Sequence, residues 1–241
     1  MSPVRAVGDL RGVPVFCSWS GGKDSALALH EAAQSGALPR VLVAMMIESG
    51  GRSRSHGLSR ELLEAQAQAV GLPIRFGAAS WDGYEDEMAR VLEAAAAEFD
   101  TPVGVFGDID IERHREWVEG VCGRAGVEAC EPLWQRDRRA LMGDLLAARF
   151  EATIVAVRDG VLPAELLGTT IDAALVEEIE RLGSDAAGEN GEYHSLVVDG
   201  PLFQRPLAVE FGERSLRDGV WFTDAWPTTA PSSAPLFLSR E

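Results

Sequence analysis

The chain has 241 residues, of which 46% are hydrophobic and 25% are charged. This length and composition suffice for a sizeable core in one or two domains, and they exclude a disordered chain, a collagen-like chain and a disulfide-stabilised miniprotein. The 22 basic and 38 acidic residues give a formal net charge of −16. Such a surface disfavours binding to nucleic acid or to anionic membranes, although a local basic groove stays compatible with it.

Short apolar segments alternate with helical patterns in the first half of the chain. Gly71 provides a stop signal for the second helical pattern. The alternation is typical of an α/β fold and predicts a Rossmann-like parallel sheet with helices on both faces. The predicted strands are 13–18, 41–47, 72–78 and 103–107, and the predicted helices are 24–34, 58–70, 84–98 and 111–124.

The pattern changes near residue 130, where strands begin to outnumber helices. This change predicts a smaller C-terminal α+β domain. We therefore expect domains at 1–128 and 129–225, followed by a flexible, Pro/Ser/Thr-rich tail at 226–241. The predicted strands of this half are 127–131, 153–157, 196–198, 207–211 and 220–223, and the predicted helices are 138–149 and 172–182.

The three cysteines, Cys17, Cys122 and Cys130, form no CxxC pair. Their small, odd number fits a reducing compartment, where thiols pack as small apolar side chains; a redox pair of Cys122 and Cys130 is the less favoured alternative. The apolar run at 13–17 is too short for a signal peptide or a membrane span. We therefore expect a cytoplasmic protein without membrane association.

A glycine-containing loop joins the first predicted strand to the first predicted helix. Open parallel sheets bind ligands at this position, beyond the carboxyl end of a strand and at a helix N-terminus. Glycines let the backbone turn and bring N–H groups against an anion, and serine hydroxyls add hydrogen bonds. The predicted phosphate-binding residues are Ser18, Ser20, Gly21, Gly22, Lys23, Asp24 and Ser25.

Lys23 is the single lysine among the 22 basic residues. Codon bias towards arginine explains why other lysines are absent, but it does not explain why one remains inside this loop. A compact ammonium suits a phosphate chain that changes shape during a reaction. The neighbouring Asp24 is a poor phosphate ligand, so we expect it to hold Mg²⁺ or to cap the helix.

The motif SGGKDS at 20–25 differs from the Walker loop GxxxxGK[ST] and resembles the PP-loop of the N-type ATP pyrophosphatases. That resemblance implies cleavage of ATP between its α and β phosphates. From about residue 13 to 211, the order of motifs is similar to that of the diphthine–ammonia ligase family. The segments that carry this similarity are 107–109, 132–136, 167–172, GENGEYHS at 188–195 and 199–203.

The resemblance implies a PP-loop domain and a C-terminal domain that share one cleft. It also implies ATP with Mg²⁺ as cofactors, ammonium as a second substrate and a carboxylate acceptor, which is diphthine on elongation factor two if the source is an archaeon or a eukaryote. The family loop usually continues GEYET after a small residue, whereas Asn190, His194 and Ser195 occupy the varying positions here. His194 replaces an acid and changes the local charge.

The residues of the GENGEY loop also suggest chemistry by themselves. The carboxylates of Glu189 and Glu192 near an ATP site can bind Mg²⁺, an incoming ammonium or a cationic group of the acceptor. Aromatic side chains such as Trp134 and Tyr193 suit a quaternary ammonium, although a core position is the more common role for a tryptophan such as Trp134. With Lys23 and Asp24, the two glutamates are the predicted catalytic residues; the predicted substrate-binding residues are Trp134, Thr170, Glu189, Glu192 and Tyr193.

Four further residues are candidates for nucleotide binding. Gly107 and Asp108 follow a predicted strand at the expected ligand edge, where Asp108 either holds Mg²⁺ or caps the next helix. His56 follows a Gly/Ser-rich loop that could close over ATP or stay in solvent. The resemblance implies that the backbone around Met45 contacts adenine.

Three functions are compatible with these signals, in decreasing order of support. The first is an ATP-dependent amide ligase that adenylates a carboxylate, releases AMP and pyrophosphate and forms an amide with ammonia. The second is a PP-loop enzyme that modifies tRNA, which the net charge disfavours. The third is an ATP-binding or ATP-hydrolysing protein with another small-molecule acceptor. A homodimer is expected only on general frequency.

Overall fold

A computed structural model describes residues 4–53 and 56–228 of the chain. Its first half contains a five-stranded parallel sheet with the strand order β3-β2-β1-β4-β5. The strands are β1 (Pro14–Ser18), β2 (Leu38–Ile47), β3 (Ile74–Ala79), β4 (Val103–Val105) and β5 (Glu128–Cys130). The helices that follow the first four strands are α1 (Lys23–Gln34), α2 (Arg60–Val70), α3 (Tyr84–Phe99) and α4 (Glu112–Ala125).

The strand order reverses between β1 and β4. From β1 the chain runs outward to β2 and β3, and it then returns to place β4 and β5 on the other side of β1. In open parallel sheets the crevice for a ligand lies at this reversal, beyond the carboxyl ends of the two central strands. The loops that leave β1 and β4 therefore flank the expected site.

Both faces of the sheet are covered, as the predicted Rossmann-like architecture requires. On β1, Val15 and Cys17 pack into one buried cluster with α1 and α2, while the ring of Phe16 lies in a second cluster with α3 and α4. Adjacent strand residues point to opposite faces, so a continuous apolar strand feeds both layers. The predicted α/β fold class is confirmed.

An antiparallel sheet forms the second half, with the order β7-β6-β9-β8. Two further helices accompany it, and the first core cluster continues from the parallel sheet into β6 and β7. The predicted smaller α+β part is thus present. The strand predicted at 127–131 in this half is instead β5 of the parallel sheet, where it pairs with β4. The boundary at 128/129 stays a prediction. The elements are α5 (Arg138–Ala147), β6 (Glu151–Arg158), α6 (Ala173–Arg181), β7 (Tyr193–Asp199), β8 (Val209–Arg217) and β9 (Val220–Pro227).

The structure corrects the predicted start of the tail and confirms the predicted core packing of the cysteines. Trp226 and Pro227 belong to β9, where they pair with β8, rather than to a flexible tail; the tail from 229 onward lies outside the described residues. All three cysteines are buried free thiols, as core packing predicts. No helix within the described part of the chain is long and apolar enough to cross a membrane.

Candidate active site

The loop after β1 places two glycines under close steric constraint. Gly21 has φ of +84°, a left-handed conformation that favours glycine. Gly22 precedes α1, and a Cβ atom added to it would lie 2.4 Å from Nε2 of His56. The loop therefore requires glycine at both positions, for a turn at the first and for the close approach of an imidazole ring at the second.

Lys23 opens α1 and its side chain is enclosed in the protein. The residue is 4% exposed, and its Nζ donates hydrogen bonds of 2.9 and 2.8 Å to the two carboxylate oxygens of Asp24. The ammonium also lies 5.1 Å from the ring centroid of Tyr193. Burial lowers the pKa of Lys23, but the charges of Asp24, Tyr193 and Glu189 outweigh it and raise the pKa overall. The lysine is therefore cationic at neutral pH.

Strand β7 of the second sheet bonds directly to this loop. The backbone N–H of Val197 donates to the carbonyl of Gly21 at 3.0 Å, and the backbone N–H of Lys23 donates to Oγ of Ser195 at 3.1 Å. The segment that contains GENGEYHS is thereby attached to the phosphate loop. One site is built from both halves of the chain.

A buried glutamine reinforces this junction. Gln66 on α2 is fully buried, and its Nε2 donates to the carbonyls of Gly21 and Val197 at 3.0 and 2.7 Å. Its Oε1 accepts a hydrogen bond of 2.7 Å from Nε1 of Trp19. The amide of Gln66 thus provides a hydrogen-bond partner to two backbone carbonyls and one indole N–H. These bonds fix the positions of the loop, α2 and β7 relative to one another.

A cavity of about 290 Å³ opens over the loop at the carboxyl edge of the parallel sheet. Its wall combines residues that follow β1 and β4 with residues from the GENGEYHS segment, which is the arrangement expected for a shared cleft. The predicted site residues that line it are Ser18, Ser20, Lys23, Asp24, Ser25, Met45, His56, Gly107, Asp108, Glu189 and Tyr193.

Three predicted substrate-binding residues lie elsewhere. Trp134 is absent from the cavity wall, and its ring packs 4.8 Å below the guanidinium of Arg115. Thr170 is exposed and pairs with Thr153 beside β6. Glu192 is 7% exposed, accepts a hydrogen bond of 3.0 Å from Nδ2 of Asn190 and is absent from the cavity wall. None of the three lines this cavity.

The two predicted magnesium ligands are engaged with basic side chains of the chain. The carboxylate of Asp24 pairs with Nζ of Lys23, and Asp108 lies 3.5 Å from Nδ1 of His114. Neither caps a helix, because Gly22 and Ile111 hold the N-cap positions of α1 and α4. Among the described residues, no group of three or more His, Cys, Asp or Glu side chains is arranged around a possible metal position. The magnesium site stays a prediction.

Glu189 is the acidic residue of the GENGEY loop that reaches the cavity. Its Oε1 accepts a hydrogen bond of 3.4 Å from the backbone N–H of Ile109. Burial and the nearby carboxylates of Asp24 and Asp108 outweigh the opposing effect of Lys23 and raise the pKa of Glu189 to about 7. Near neutral pH this carboxyl group is therefore poised between its neutral and charged forms.

Several residues of the site were not predicted. His114, His194 and Ser195 line the cavity, and Tyr84 contributes its ring from the start of α3. His194 and Ser195 could have been found because they depart from the family loop within an otherwise matching motif. Gln66 was a further signal, because it lies among the apolar residues of a predicted helix. A buried amide at that position needs hydrogen-bond partners.

Two domain models of one protein family match most of the chain. Residues 14–129 match the diphthamide synthase N-terminal domain, and residues 137–225 match the diphthamide synthase C-terminal domain. The chain belongs to the diphthamide synthase family. This membership confirms the resemblance inferred from the motifs. The family models span both sheets and the loops between them that form the cavity.

Individual relatives of the family agree with this assignment. The diphthine–ammonia ligase of Rattus norvegicus is 33% identical over 111 residues, which cover 44% of this chain and 42% of the relative. The enzyme of the same name from Danio rerio is 26% identical over 224 residues, covering 80% of this chain and 85% of the relative. The matched stretch thus spans about two fifths of the rat ligase and most of the zebrafish ligase.

Two solved structures share part of the fold. A predicted tRNA methyltransferase subunit from Methanocaldococcus jannaschii superposes with a TM-score of 0.43 at 16% identity, covering 78% of this chain and 98% of the other. A U34-tRNA thiolase from Methanococcus maripaludis superposes with a TM-score of 0.37 at 13% identity, covering 58% of each chain. Similarity at this level carries no argument about function.

Proposed function

We propose that this protein is an ATP-dependent amide ligase of the diphthine–ammonia ligase type. The observation that carries the proposal is the junction between the phosphate loop and β7, where Val197 and Ser195 bond to Gly21 and Lys23. This junction supports the proposal because it joins the GENGEY segment to the loop below the cavity that both of them line. An acceptor bound by that segment would meet the phosphates of ATP.

ATP fits the chemistry of the loop. The N-terminus of α1 supplies partial positive charge, and the ammonium of Lys23 supplies a full one beside it. Lys23 would exchange its bonds to Asp24 for bonds to phosphate oxygens as the nucleotide enters. Asp24 and Asp108 are the carboxylates that would hold Mg²⁺, which would neutralise charge on the phosphates.

The reaction proceeds in two displacements. An oxygen of the acceptor carboxylate attacks the α-phosphorus, the bond to the β-phosphate oxygen breaks, and pyrophosphate leaves. The bound ammonium loses one proton to solvent and becomes ammonia, which attacks the activated carbonyl carbon. The carbon–oxygen bond to AMP breaks, and the nitrogen releases a second proton to solvent. Lys23 and the loop amides of Gly21 and Gly22 stabilise the negative charge that develops on the phosphates in the first step.

Glu189 is the residue that we assign to the incoming nitrogen. Its carboxylate lines the same cavity as Lys23 and forms no ion pair shorter than 4 Å within the described residues. An ammonium ion would satisfy it by a charge-assisted hydrogen bond. Since Glu192 is absent from the cavity wall, it is not assigned a contact with substrate.

The experiment that tests the proposal supplies ATP, ammonium and a panel of carboxylates, including diphthine-bearing elongation factor two and small carboxylic acids. Mass spectrometry then follows conversion of the carboxylate to the amide. Labelled ammonium should appear in the product only when ATP is present. Absence of labelled amide with every acceptor, despite ATP binding, would contradict the ligase assignment.

A further inference from the structure

Three of the four histidines of the chain line the cavity, and the rings of two of them are in contact. The rings of His56 and His194 have centroids 4.6 Å apart and are tilted by 47°. His56 precedes α2 in the parallel-sheet half and His194 lies on β7. The pair therefore closes the cavity from both halves of the chain.

The pair stands directly over the phosphate loop. Nε2 of His56 lies where a side chain of Gly22 would begin, and His194 precedes Ser195, whose hydroxyl accepts a hydrogen bond from the backbone N–H of Lys23. The residues that carry the two rings therefore both adjoin the N-terminus of α1. An anion held by the loop would face Lys23 on one side and the imidazoles on the other.

We propose that His56 and His194 bind the pyrophosphate portion of the nucleotide and hold it as the leaving group. Each neutral imidazole offers one N–H donor, and a protonated one offers two donors and a charge. The pair supplies donors at the open side of the loop, where the helix amides and Lys23 do not reach around the phosphates. This inference rests on the proposed function, because it takes ATP as the ligand.

The electrostatics of the pair give the contact a pH signature. Burial, the neighbouring His194 and the cation of Lys23 lower the pKa of His56. Burial, Lys23 and Arg158 lower the pKa of His194 to about 4. The charged groups that act on the pair, from α1 and β6, are therefore both cations. In the free protein the rings are neutral at pH 7.

Binding of an anion reverses that balance. Negative phosphate oxygens beside the rings favour the imidazolium, so the pKa of at least one ring rises and a proton is taken up on binding. Affinity for the polyphosphate should consequently increase as the pH falls. The part of this dependence that comes from the pair should be absent for a nucleotide that lacks the β and γ phosphates. Glu189 and His114 line the same cavity and also have raised pKa values, and their contribution is common to all the variants.

Calorimetric titrations with ATP, inorganic pyrophosphate and AMP between pH 5.5 and pH 8 test the inference, with buffers of different ionisation enthalpy to count protons. The variants are H56Q, H194Q and the double variant. His30→Gln is the matched control, because the ring of His30 packs 5.6 Å from Phe150, away from the cavity wall. AMP affinity reports whether each variant keeps its fold.

We expect the wild-type protein and the His30 variant to bind ATP and pyrophosphate about tenfold more tightly at pH 5.5 than the double variant, with proton uptake that the double variant lacks. Protonation of the phosphates themselves is common to all variants and cancels in this comparison.

An unchanged pH profile in the double variant overturns the inference and leaves the ligase proposal intact. Equal weakening of AMP and ATP also overturns it, because the rings would then support the adenosine or the fold. Failure of the wild-type protein to bind ATP at any pH overturns both.

Discussion

At the residue scale, the central feature is a single lysine in an arginine-rich chain. The loop context of Lys23 was readable from the sequence because glycines, a helix start and the SGGKDS motif coincide. Its contact with Tyr193 was not readable, since 170 residues separate the two in sequence. The ammonium of Lys23 is a compact charge held between an aspartate and an aromatic ring, and a planar guanidinium would place its donors differently.

Replacing Lys23 tests this reading of the loop. We expect Lys23→Ala to lower the rate of pyrophosphate release by about 100-fold or more, since it removes a preorganised charge from the phosphates. Lys23→Arg should be impaired as well, because the planar guanidinium presents its donors in a fixed fork rather than as a compact, mobile charge. Arg139→Ala serves as the control, because Arg139 lies exposed beside Glu177 and Glu180. Wild-type activity in Lys23→Ala would refute the placement of the site.

Glu189→Gln tests the assignment of the ammonium contact. The amide keeps the size of the side chain and loses its charge, so the KM for ammonium should rise by about tenfold while the KM for ATP stays unchanged. Initial rates measured against both substrates separate the two effects. A parallel rise in both KM values would instead indicate that Glu189 acts on the nucleotide.

Glu131 provides a prediction about stability and pH. Its carboxyl oxygens are buried without hydrogen-bond partners, and Arg115 lies 3.6 Å away. Burial and the neighbouring Asp108 raise the pKa of Glu131 from 4.5 to about 7 in the folded protein. A raised carboxyl pKa stabilises the fold fully below pH 4.5, and that contribution is lost as the pH rises to about 7, with an upper limit of roughly 3 kcal/mol.

The variant Glu131→Gln removes the titration. Urea unfolding should therefore find the variant more stable than the wild-type protein at pH 8 and nearly equal to it at pH 4. A pH-independent difference between the two proteins would contradict the prediction.

At the element scale, the parallel sheet was predictable almost strand by strand. Its strands are buried on both faces, so each one appears in the sequence as an apolar run between helical patterns. The second sheet was harder. Every residue of β8 is partly or fully exposed, and its polar residues conceal the strand beyond Phe211. Strand β7 likewise begins at Tyr193, inside the loop motif rather than after it.

Gln66 on α2 makes side-chain hydrogen bonds that connect the phosphate loop to β7. In Gln66→Leu, the carbonyls of Gly21 and Val197 and the indole N–H of Trp19 lose their partner, which should cost about 2–4 kcal/mol of unfolding free energy and weaken ATP binding. Gln68→Leu, on the exposed face of α2, is the matched control. Equal effects of the two substitutions in urea unfolding and ATP titration would show that the junction is not special.

At the scale of the whole molecule, the two sheets share one core and one cavity. Sequence motifs predicted which loops carry chemistry, but not that Glu192 and Trp134 are absent from the cavity wall while His194 lines it. Such placements depend on long-range contacts, for example the bond between Lys23 and Ser195 across 172 residues. The net charge of −16 disfavours tRNA as the acceptor, and that alternative, like a homodimer, stays a prediction.

The most direct test of the central claim is the identity of the nucleotide products in the presence of ammonium and a productive acceptor. Chromatography of labelled ATP reactions should find AMP and pyrophosphate in equal amounts, in step with amide formation. ADP and inorganic phosphate as the products would contradict the claim, because they would mean that the phosphate loop supports cleavage between the β and γ phosphates.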